Sequence, residues 1–93
     1  MENKEEFMKR ADAHIFLANE QINDSKTVTP GEISASFLFG ASRFNAWVAA
    51  CEFDSPEAMK AAKDEITEYF LKEYKQMLEQ HIDSHIEAFE FSK

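Results

Sequence analysis

Cysteine is nearly absent from this chain: Cys51 stands alone among 93 residues. A single thiol excludes an internal disulfide, so packing must hold the fold together. No run of basic residues surrounds Cys51, and it reads as a small apolar residue in a reducing compartment. Glycine and proline are scarce too, with two of each. Few tight turns are then available, which favours a handful of long helices over many short strands. Positive charge is in deficit. Ten Lys and Arg stand against eighteen Asp and Glu, a formal net charge of −8. A phosphate surface would repel such a chain, so neither nucleic acid nor an anionic membrane is expected as partner. The opening MENKEEFMKR lacks the apolar run of a signal peptide, and the cytoplasm is the expected compartment.

Apolar residues are plentiful. They make up 44% of the chain, with nine Phe, two Tyr and one Trp, enough for one small domain over residues 1–93. They concentrate in Ile33–Cys51, where Arg43 is the single charged residue. That segment approaches the length of a membrane span. Arg43, Asn45, three serines and Gly40 interrupt it, and a central Arg is unfavourable in lipid. The segment is therefore expected to be the buried middle of a soluble fold.

Two punctuation marks divide the chain. Thr29-Pro30-Gly31-Glu32 combines an N-cap threonine, a proline in the first turn and a glutamate three residues on, the pattern of a capping box. Asp54-Ser55-Pro56-Glu57 is again a cap, a proline and an acidic first turn. These signals predict helices at about 4–24, 30–52 and 56–90. Phe7, Ala11, Ile15, Ala18 and Ile22 give the first an apolar stripe. The second carries Ile33, Phe37, Ala41, Phe44, Val48 and Cys51 on one face, with Leu38, Phe39, Ala46 and Trp47 on the others. Apolar on nearly all sides, it is expected between two neighbours, with Gly40 marking a close approach. The third has two stripes. One begins at Met59, Ala62, Ile66, Phe70 and Met77; the other runs Leu78, Ile82, His85 and Phe89. They are rotated about 90° apart, which predicts a bend or a change of packing partner.

The expected fold is all-α: an antiparallel three-helix bundle, up-down-up, with a long third helix. At 1.5 Å per residue the second helix reaches about 34 Å and the third about 52 Å. The overhang, Gln80–Glu90, carries Ile82, Ile86 and Phe89, and exposed apolar residues in a row need a cover. Ile82, His85, Ile86 and Phe89 are the candidate interface, most simply of a homodimer.

Three other groups are candidates for chemistry. A turn near residue 27 would set Arg43 level with Asp12, with Asn19 and Asn45 able to complete the hydrogen bonds. That cluster reads as a register-fixing ion pair or, alternatively, a small-molecule or anion site. His81 and His85 share a helix face at a spacing that can chelate a metal. No H-E-x-x-H motif accompanies them and the third ligand is missing from the sequence neighbourhood. No catalytic residue, resident metal or cofactor is expected. Ser34, Ser36 and Ser42 have no nucleophile-elbow context, and there is no glycine-rich phosphate loop.

Two blocks, R-A-D-A-H-I-F-L-A-N-E-Q at Arg10–Gln21 and S-A-S-F-L-F-G-A-S-R-F-N-A-W-V-A-A at Ser34–Ala50, resemble a family of small bacterial proteins, domain of unknown function family 3144. Tyr69-Phe70 and Tyr74-Lys75-Gln76-Met77-Leu78 extend the likeness over nearly the whole chain. The resemblance implies one helical domain in the bacterial cytosol, and it brings no catalytic residues with it. The expectation is a non-enzymatic interaction module.

Overall fold

The computed structural model describes residues 3–91. Among these, four α-helices form and no strand: α1 (Lys4–Asp24), α2 (Pro30–Ala50), α3 (Pro56–Ala61) and α4 (Lys63–Ala88). The chain divides into two compact units, Met1–Val48 and Ala49–Lys93.

The helix starts follow from local chemistry. Asn3 caps α1, its side-chain oxygen accepting from the Glu6 amide at 2.8 Å. At α2 the capping box closes in both directions. The Thr29 amide donates to Glu32 Oε1 at 2.9 Å, and the Glu32 amide donates to Thr29 Oγ1 at 3.2 Å. Ser55 Oγ accepts from the Ala58 amide at 3.1 Å, with Pro56 in the first turn of α3. Between α1 and α2, Ser25 Oγ accepts from the amides of Thr27 and Val28, both at 3.3 Å. Loss of an N-cap side chain typically destabilises by about 1 kcal/mol. Thr29→Ala is expected to lower stability by about that amount, read from urea unfolding; an unchanged midpoint would show that the box contributes nothing.

Continuity of the third predicted helix is corrected. Its interruption is at Ala62 (φ −94°, ψ 1°), whose amide reaches both Ala58 O and Met59 O. The shorter bond, 3.0 Å to Met59 O, tightens this turn toward 3₁₀ geometry. Neither glycine nor proline stands there, so the sequence gives no sign of it. Beyond it α4 runs unbroken to Ala88, with no break after residue 77.

Burial corrects a larger expectation. Ile33, 9% exposed, is the one buried residue among those described. In the first unit Ala11, Ala18, Ile22 and Val28 are half-buried, while Phe7 and Ile15 stay exposed. In the second unit the half-buried set is Ala49, Phe53, Ser55, Met59, Ala62, Ile66 and Phe70, and its last four members follow the first predicted stripe. Past Phe70 every described residue of α4 is exposed. Within its own unit the expected burial of α2 does not occur: Phe44 is 63% and Trp47 61% exposed. The reason is geometric. One neighbour covers one stripe of a helix, and α2 is apolar on most of its circumference.

Candidate functional site

Two apolar surfaces and one polar cluster are candidates. The first surface is a cavity of about 570 Å³ between α1 and α2. Leu17 and Ala18 of α1 face Phe37, Gly40, Ala41 and Phe44 of α2, with His14, Gln21, Ser36 and Asn45 as polar members. The α2 residues sit at i, i+3, i+4 and i+7, which is one helix face. Ile33 and Val48 continue that face above and below. A Cβ built on Gly40 would meet nothing within 4 Å. Within its own unit, then, no described neighbour closes on Gly40. Ser36 Oγ donates to Ile33 O at 3.0 Å, so its hydroxyl proton is already used.

The second surface is the end of α4. Leu78, His81, Ile82, His85 and Ile86 line a shallow cavity of about 440 Å³, joined by Phe91. Helical spacing puts the first five on one stripe. The helix stops at Phe89, whose backbone is extended and whose amide donates to His85 O at 2.9 Å. The Phe89 ring packs 5.8 Å from the His85 ring and edge-on to Phe91 at 5.1 Å. Ile86 is 65% exposed. Ile82, His85, Ile86 and Phe89, singled out from sequence, are thus neighbours on one exposed apolar surface.

The polar cluster is not assembled. Arg43 is exposed, and its guanidinium lies 5.0 Å from the centre of the Phe39 ring, one turn back on α2. Among the described residues no ion pair joins it to Asp12. Asp12 and Asn19 are exposed on α1, on the opposite edge of its stripe from His14, Leu17 and Gln21. Asn45 is half-buried and lines the α1–α2 cavity, apart from the other three. The expectation of a buried arginine rested on its apolar neighbours in sequence. Helical rotation instead carries it to the back of α2, where a cation–π contact suffices.

The histidine pair is close but incomplete as a chelate. His85 Nδ1 lies 2.9 Å from His81 O. A carbonyl only accepts, so Nδ1 is the donor in this bond. Among the described residues, no three His, Cys, Asp or Glu side chains gather where they could hold a metal. Cys51 is exposed, just past the end of α2. No described helix is long and apolar enough to cross a membrane.

The model of a family described as protein of unknown function (DUF3144) matches residues 7–86. The NMR structure of the protein NB7890A from Shewanella sp is similar in sequence and fold. It is 39% identical, with 94% of this chain and 90% of that chain covered and a TM-score of 0.79. No curated protein matches.

Proposed function

The chain belongs to the DUF3144 family of proteins of unknown function, and we propose that this member is a non-enzymatic interaction module that pairs with itself through its C-terminal helix. The observation that carries this reading is the exposed stripe at the end of α4, from Leu78 through Ile82 and Ile86. Apolar side chains in such a row are a surface that association covers. The net charge of −8 supports a protein partner over nucleic acid or an anionic membrane, and a cytoplasmic setting accords with a single unpaired thiol. On this reading the up-down-up bundle suggested by the helix lengths is completed between copies. The anion-site alternative draws no support from Arg43, Asp12 and Asn19 as they lie, and the metal alternative lacks a third ligand.

The test is Ile86→Asp, followed by sedimentation equilibrium. A charge at the centre of the stripe is expected to raise the dissociation constant at least about a hundredfold, the equivalent of roughly 3 kcal/mol. Self-association equal to that of the unaltered protein would sink the reading.

A further inference from the structure

We infer that His81 and His85 together bind a late first-row divalent cation, such as nickel or zinc, as an exchangeable ion held by two imidazoles and water. Both ligands belong to one helix, so the site does not depend on the self-association reading.

The helix brings the two side chains together. Four residues apart on α4, they lie one turn from each other on the same face, and both line the shallow surface at its end. A resident zinc takes three or four protein ligands, and the described residues gather no third. Two imidazoles suffice for a weaker site in which water completes the shell. Imidazole suits nickel, copper and zinc, whereas magnesium and calcium take oxygen.

One ring is already held as a ligand is held. His85 Nδ1 donates to His81 O at 2.9 Å. Metal-binding histidines commonly give their second ring nitrogen to such a carbonyl, which fixes the ring. With Nδ1 in that bond, Nε2 is the nitrogen that a cation takes. The Phe89 ring packs beside the same imidazole, 5.8 Å between centres.

Electrostatics favours a cation here. After Lys75 the described chain holds no Lys or Arg, but it holds Glu79, Asp83, Glu87 and Glu90. Lys75 itself is paired with Glu79 at 3.3 Å. The local field is therefore negative. Glu79, Asp83 and Glu87 recur at four-residue spacing, two residues out of step with the histidines and hence on the far side of the helix. They attract the ion without replacing imidazole as its ligand. Among the described residues no carboxylate pairs with either histidine. On their own side the histidines are the polar members of a surface otherwise lined by Leu78, Ile82, Ile86 and Phe91. A cation arriving there meets two ring nitrogens and no competing side-chain oxygen.

The experiment is isothermal titration calorimetry of the untagged full chain with nickel chloride, repeated with magnesium chloride. One nickel ion per chain is expected, with magnesium at least about a hundredfold weaker. Affinity is expected to fall as pH falls, since protons compete for the imidazoles. His81→Gln and His85→Gln are each expected to weaken nickel at least about tenfold, because a lost ligand costs no less than a lost outer-shell partner. Both positions are exposed and glutamine is a good helix former, so these variants keep their fold, as circular dichroism would show. His14→Gln, at the one remaining histidine, is expected to leave binding unchanged. Nickel binding that survives both helix-four variants would place the ion on carboxylates and overturn the inference. Dependence on His14, or no binding at all, would also overturn it. A chain that binds nickel as a monomer supports the inference and removes the self-association reading; a dimer that takes up no nickel does the reverse.

Discussion

Ile33→Asp is expected to leave the protein without a stable folded state. Ile33 is the best-buried side chain described, and full burial of an isoleucine contributes about 1.5–3 kcal/mol. The substitution removes that and places an unpaired carboxylate in the same space, adding several kcal/mol more. Against a typical stability of about 5–15 kcal/mol, this is a large fraction. The helix itself offers no excuse. Residue 33 lies in the first turn of α2, where a negative charge is favoured by about 0.3–1 kcal/mol, and the Thr29–Glu32 box is untouched. Any loss therefore reports burial. Far-UV circular dichroism through a urea titration gives the reading, with Ile33→Val as the conservative control at about 0.5–1.5 kcal/mol. A native-like titration for Ile33→Asp would mean that this residue is not the anchor of α2.

Phe44→Asp tests whether the α1–α2 face is covered in solution. Phe44 is exposed within its own unit, and a surface substitution there should change stability by less than about 0.5 kcal/mol. If another surface covers the α1–α2 cavity, the same change buries a charge and removes a ring whose centre lies 5.7 Å from that of Trp47. A loss of about 3–5 kcal/mol follows. The expected result is a loss of that larger size, measured by circular dichroism through a urea titration. A variant indistinguishable from the parent would place Phe44 in water.

What was legible in the sequence is what depends on neighbours in sequence. Thr29, Pro30 and Glu32 specify the start of α2 among themselves, and Ser55 with Pro56 specifies the start of α3. The predicted boundaries at 4, 24, 30 and 56 accordingly coincide with the observed ones. The tightened turn at Ala62 was not legible, because no residue there is a helix breaker. It is a departure of backbone geometry at a residue of the highest helix propensity. Arg43 illustrates a deeper limit. A pairing with Asp12 depends on where the chain turns, which is a long-range property. Its contact with Phe39, four residues away, is a matter of helical period. The same period shows why the α2 stripe could be read in advance: Phe37, Ala41 and Phe44 do share a face and do line a cavity. What covers that face is not written in the spacing, since periodicity names a surface and not its occupant.

Cys51 has one further consequence. It is the chain's single cysteine, exposed and positioned at the turn that follows α2. Any thiol-reactive dye therefore attaches once per molecule, at a point fixed to the end of the most apolar helix. In a mixture of donor-labelled and acceptor-labelled protein, energy transfer would arise only between molecules. If copies pair as proposed, the rate at which it appears after mixing times how often partners are exchanged, with no engineered handle required.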